Sequence, residues 1–180
     1  MVELAQSSED NMDSQVESNA EQIELLAHQV GVALEAGKDV LATAESCTGG
    51  GIACAITEIA GSSVWFDAGF VTYSNEAKQR MLGVQSATLE RFGAVSEDVV
   101  LEMTSGSLDR SNASVAVSVS GVAGPGGGTE DKPVGTVWIA WQRKGQSGQA
   151  RKFCFSGGRH AVRQQTVVAA LNGVLARLCR

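Results

Sequence analysis

The most constraining feature of this chain is a short apolar run, residues 39–46. It passes without a linker through Cys47, Thr48, Gly49, Gly50 and Gly51 into an Ala- and Ile-rich stretch ending at Gly61. The first piece has the length of a strand and the last that of a helix, so the pattern reads as strand, sharp turn, helix. A second unit follows, with residues 66–74 as strand and 75–83 as a helix stopped by Gly83. A further helix spans 96–110, with Ser96 as its N-cap and Glu97 and Asp98 in its first turn. Residues 114–120 alternate Val115, Val117 and Val119 with Ala116, Ser118 and Ser120, the two-residue period of a strand with one bulky and one small face. Residues 134–141 and 151–155 read as an antiparallel hairpin across a polar turn. A final helix runs from Gly158, with Val167, Leu171, Val174 and Leu178 on one face. Strands alternating with helices, then a hairpin, predict a three-layer α/β/α sandwich around a mixed, mainly parallel sheet.

At 180 residues the chain has room for one domain with a substantial core. Residues 1–37 carry eight acids and no Lys or Arg, which leaves 12 acids against 14 bases in the remainder. Residues 1–20 are polar and acidic with few apolar side chains, and are expected to be a loose tail. The amphipathic pattern of Ile23, Leu26, Ala27, Val30 and Leu34 then starts the domain, residues 21–180, with a helix ending near Gly37. A formal charge of −6 argues against a nucleic-acid partner, because that affinity rests on Lys and Arg neutralising phosphates. No run approaches the roughly 18 apolar residues of a membrane span, and the N-terminus lacks the basic and apolar regions of a signal peptide, so no membrane partner and a cytosolic location are expected. Cys47, Cys54, Cys154 and Cys179 form no CxxC pair and have no His at zinc-ligand spacing, so they read as free thiols.

Chemistry is most concentrated where the first strand delivers Ser46 to the start of a helix through Thr48, Gly49 and Gly50. N–H groups of a first helical turn can bind phosphate or stabilise an oxyanion, although Ser and Thr are equally common there as ordinary caps. Where the second strand hands over to its helix stand Tyr73, the only tyrosine, and Lys78. If strand ends converge at one sheet edge, both can face Ser46 across a crevice. On spacing alone, a solvated helix lysine and a core tyrosine with a wet hydroxyl are the commoner outcome. A Ser-His-Asp triad lacks a partnered histidine, since His28 sits in the first amphipathic helix and His160 stands isolated. The glycine-rich loop 121–136 lacks the Gly-Lys-Ser/Thr ending of a P-loop and leads into a strand, so it reads as a pocket border or a flexible surface turn.

The segments AESCTGG, IAGSS, FVTYSNEAK, FGAVSE, SGVAGPGGGTEDKPVGTV and FSGGRHAVR, in that order, resemble the C-terminal domain family of the competence/damage-inducible protein CinA. The likeness runs from about Ile23 to the C-terminus. Its stand-alone members include nicotinamide-nucleotide amidohydrolases. The resemblance implies hydrolysis of the carboxamide of nicotinamide mononucleotide to nicotinate mononucleotide and ammonia, without cofactor or metal, by a homodimer or larger symmetric assembly. It implies Ser46, Tyr73 and Lys78 as the catalytic residues. Thr48, Gly49, Gly50, Ser120, Gly121, Arg159 and Arg163 would line the substrate site. Family members often carry an acid where this chain has Gly158, which bears on how Arg159 is held.

Such chemistry needs Lys78 uncharged, because a serine hydroxyl must lose its proton as the new bond forms. An ordinary lysine titrates near ~10.4, so burial or a neighbouring positive charge must lower it. Tyr73 would relay the proton or orient the amine. Two other readings stay open at this level: a non-catalytic nucleotide-binding or protein-interaction module linked to competence or DNA damage, and Cys47 as the nucleophile. The second lacks a nearby cation in sequence to lower the thiol pKa.

Overall fold

The computed structural model describes the backbone of residues 3–178 and the side chains of residues 19–178; Cys179 lies outside the described residues. The elements are α1 (Glu3–Gly37), β1 (Leu41–Glu45), α2 (Gly51–Thr57), a 3-10 turn (Ser62–Val64), β2 (Phe66–Val71), α3 (Asn75–Leu82), α4 (Ser86–Phe92), α5 (Glu97–Asp109), β3 (Val115–Gly121), β4 (Thr136–Arg143), β5 (Gln149–Cys154) and α6 (Arg159–Leu178). The sheet order is β2-β1-β3-β4-β5. β1 runs parallel to both β2 and β3, whereas β4 pairs antiparallel with β3 and β5. Four strands therefore point one way and β4 runs against them, as expected of a mixed sheet whose last strands form a hairpin.

The period-two pattern of β3 explains the layering. Val115, Val117 and Val119 enter the core shared with Leu26, Val30 and Leu34 of α1, Ile52 and Ile56 of α2, and Val167 and Leu171 of α6. On the opposite face small residues let α5 approach closely, and the Ser118 hydroxyl donates to the Val100 carbonyl at 2.6 Å. There α5 packs on β1, β3 and β4, with α3 and α4 against it. Gly106 of α5 is required for this contact, since a Cβ would lie 1.9 Å from the Leu82 carbonyl oxygen of α3. That close approach fixes α3 beside the end of β1.

Three local expectations shift. α2 stops at Thr57, and the residues up to Val64 form turns. α4 has no counterpart in the sequence pattern, because seven residues offer less than two helical turns of periodicity. α1 begins at Glu3, so residues 3–20, read from composition as a loose tail, have helical backbone continuous with the amphipathic segment. No Gly or Pro precedes Gly31, and a helix nucleated by packing farther along extends at little further cost. Among the described residues no helix is long and apolar enough to cross a membrane.

Candidate active site

Strand alternation at the end of β1 sends consecutive side chains to opposite faces. Glu45 points towards α2. Its buried carboxylate accepts from the Thr48 hydroxyl at 2.6 Å, the Ile52 amide at 3.0 Å and the Ala53 amide at 2.8 Å. The carboxylate thus occupies the capping position that Gly50, without a side chain, cannot fill. Between them the chain reverses through Gly49 (φ 61°) and Gly50 (φ 93°), a left-handed conformation that favours glycine. The amide of Gly49 donates to the Ser46 carbonyl at 3.0 Å, and that of Ser46 to the Val119 carbonyl at 3.1 Å. Among the described residues, the Thr48 and Gly50 amides donate to no backbone carbonyl.

Ser46 faces α3. Thr72, just past β2, is tied to β1 by its amide, which donates to the Glu45 carbonyl at 2.8 Å. The chain then enters α3, capped by Ser74, whose hydroxyl oxygen accepts from the Ala77 amide. One turn later Lys78 reaches back to the sheet. Its Nζ donates to Ser46 Oγ at 3.0 Å and to the Thr72 carbonyl at 2.8 Å. Lys78 is 1% exposed. Burial lowers its pKa to about 8, a shift that the charge of a Cys47 thiolate would partly oppose. Burial also pushes the neighbouring Cys47 thiol up to about 11, so the sulfur next to the serine is a protonated core group.

The remaining expected residues separate into two groups. Tyr73 is 61% exposed, and its hydroxyl accepts from Arg159 Nη2 at 2.9 Å; no hydrogen bond joins it to Ser46 or Lys78. Past the end of β2, Thr72 is buried while Tyr73 carries its side chain outward to Arg159 at the start of α6. Arg159 also donates through Nη1 to the Gly124 carbonyl at 2.9 Å, which brings the glycine-rich loop to the mouth of the site. Its positioning therefore comes from a backbone carbonyl and a phenol, with no acid at position 158 involved. Arg163, one turn along α6, donates to the Thr48 carbonyl at 2.7 Å and braces the serine turn from behind. Ser120 and Gly121 are committed to the scaffold. The Ser120 hydroxyl donates to the Ala94 carbonyl at 2.7 Å, and a Cβ on Gly121 would lie 2.8 Å from the Thr136 carbonyl oxygen of β4.

The family model for the CinA C-terminal domain matches residues 23–178. The chain belongs to this family. It is 58% identical over 146 residues to the nicotinamide-nucleotide amidohydrolase PncC of Escherichia coli strain K12, covering 81% of this chain and 88% of that protein. Identity with the Pseudomonas putida protein of the same name is 53% over 153 residues, covering 85% and 95%. Among solved structures, the competence/damage inducible protein CihA of Agrobacterium tumefaciens superposes with a TM-score of 0.85 at 46% identity, covering 88% of this chain and 96% of that one.

In this CinA C-terminal domain the arrangement combines an alcohol, an amine depressed towards neutrality and two amides that donate to no backbone carbonyl, at the carboxyl ends of parallel strands. That edge is where open α/β sheets bind ligands. Sequence reasoning passed over Glu45, although a signal existed: it is the one ionisable residue in the strand Leu-Ala-Thr-Ala-Glu, all of which is buried. A lone acid in such a strand must find donors or remain uncharged.

Proposed function

We propose that this chain is a nicotinamide-nucleotide amidohydrolase that converts nicotinamide mononucleotide and water into nicotinate mononucleotide and ammonia, with Ser46 as nucleophile and Lys78 as its base. The observation that carries the reading is the 3.0 Å contact between Ser46 Oγ and a buried amine whose pKa is lowered to about 8. A neutral amine donates to the Thr72 carbonyl and offers its lone pair to the serine hydroxyl. As Oγ attacks the carboxamide carbon, Lys78 takes the proton. The oxyanion forms against the amides of Thr48 and Gly50, and such donors are each worth ~3 kcal/mol in the transition state when well aimed. The ammonium of Lys78 then protonates the departing nitrogen, which leaves as ammonia. Water attacks the resulting Ser46 ester and gives a proton to Lys78; the bond from the acyl carbon to Oγ then breaks, Lys78 returns the proton to Oγ, and the carboxyl product leaves.

Glu45, Gly49, Gly50 and Arg163 hold the turn that presents the nucleophile, and Arg159 is the cation available to the substrate phosphate. Cys47 is a poor alternative nucleophile, since its thiol stays protonated at neutral pH. The test is ammonia release from nicotinamide mononucleotide by protein treated with a chelator. Ser46→Ala and Lys78→Ala are expected to abolish release while each variant still unfolds cooperatively. Release that persists in both folded variants, or that disappears with the chelator, overturns the reading.

A further inference from the structure

Arg159 joins three segments that have no other reason to move together. Its guanidinium starts α6, donates to the Gly124 carbonyl of the β3–β4 loop and donates to the Tyr73 hydroxyl in the β2–α3 connection. Among the described residues no carboxylate neutralises it, the ion pair there being Arg143 with Asp39. The bond to Tyr73 is thus a cation held by a neutral phenol oxygen on an exposed side chain. An anionic oxygen replaces such an acceptor readily, because bonds between two ionised groups are shorter and roughly twice as strong as neutral ones. Tyr73 in turn is covalently adjacent to Thr72, whose carbonyl holds Lys78 Nζ at 2.8 Å. The phenol therefore branches from the chain one residue beyond the carbonyl that binds the amine.

Resting on the amidohydrolase reading, we propose that Arg159 is a specificity-determining residue: a phosphate on the substrate takes its Nη2, and the freed Tyr73 hydroxyl turns to the Ser46–Lys78 pair. The phosphate is therefore read in the rate of the chemical step as well as in binding, since an interaction realised only with the correct substrate raises kcat. In the free protein the tyrosine is parked. Removing the phosphate, as in nicotinamide riboside, leaves it parked while the serine and lysine remain in contact.

Tyr73 is the only tyrosine, so protein labelled with 13Cζ-tyrosine gives one resonance that reports its state directly. Ribose 5-phosphate is expected to shift that resonance in the unmodified chain, and ribose to leave it in place. In Arg159→Ala the resonance should already sit apart from its resting position and ignore ribose 5-phosphate. The kinetic counterpart is a kcat at least tenfold higher for nicotinamide mononucleotide than for the riboside, collapsing to within threefold in both Arg159→Ala and Tyr73→Phe. An unmoved resonance, failure of ribose 5-phosphate to bind, or binding that survives Arg159→Ala overturns the inference. So does a Tyr73→Phe variant that slows both substrates equally. If the unmodified chain releases no ammonia from the nucleotide, the amidohydrolase reading fails, and the resonance still decides whether an anion frees the tyrosine from Arg159.

Discussion

Glu45 and Lys78 are two buried ionisable residues that meet the end of β1 from opposite faces of the sheet, and the sheet treats them differently. The Glu45 side chain accepts three hydrogen bonds from donors within eight residues of it, so both its oxygens are engaged and its role is to hold a turn. The amine has two acceptors, a serine hydroxyl and a carbonyl, both neutral. Burial without a counter-charge lowers its pKa to about 8. A buried polar group with all its hydrogen bonds made serves as scaffold. A partly satisfied one is poised to change its protonation state, and such groups concentrate at reactive sites.

The contrast is sharpest if stability and rate respond in opposite ways. Lys78→Met should lower kcat/KM for amide hydrolysis by about 10³- to 10⁴-fold, in line with loss of a base that activates the nucleophile. Its melting temperature should hold or rise, because an apolar side chain of similar length replaces a poorly compensated buried amine. A substantial fall in melting temperature would erase the distinction. Glu45→Ala should do the reverse, costing about 2–4 kcal/mol in urea unfolding because three donors lose their acceptor. Activity of the folded fraction should fall roughly 10- to 100-fold as the turn relaxes. Full stability in that variant would remove Glu45 from the scaffold.

The titration of Lys78 is read by pH. In the proposed mechanism its neutral form is the active one, so kcat/KM should rise about tenfold per unit up to about pH 8 and level off above it. Between about 8 and the ordinary lysine range the unfolded chain binds the extra proton and the native chain does not. Stability attributable to Lys78 therefore increases with pH across that window, and the increase should vanish in Lys78→Met. A flat rate profile from pH 6 to 9 would separate the amine from the chemistry. The smallest effect is expected for Cys47→Ala, whose kcat/KM should stay within about threefold of the parent because a thiol pushed up to about 11 does not react at neutral pH.

Most of the architecture was legible because it depends on near neighbours. The alternation of β3, the Ser96 cap of α5 and the left-handed Gly83 closing α3 are local events, and each stands where the pattern predicts. The position of Ser46 at a strand-to-helix turn was equally readable, since glycines at 49 and 50 permit a reversal that side chains resist. The family motifs nominated Tyr73 and Lys78, but their environments were not readable. Spacing favoured a solvated lysine and a core tyrosine, and the structure has a buried lysine and an exposed tyrosine.

The reason is that exposure belongs to the surroundings of a residue. Lys78 is buried because Gly106 lets α5 press against the end of α3, and because β2 places the Thr72 carbonyl where the amine arrives. Glu45 is a cap because α2 begins behind it. Residue types and their periods sufficed to write a strand, a turn and a helix in order. The protonation of the amine, and the partner of the tyrosine, were settled by segments 28 to 86 residues distant that the fold alone brings into contact.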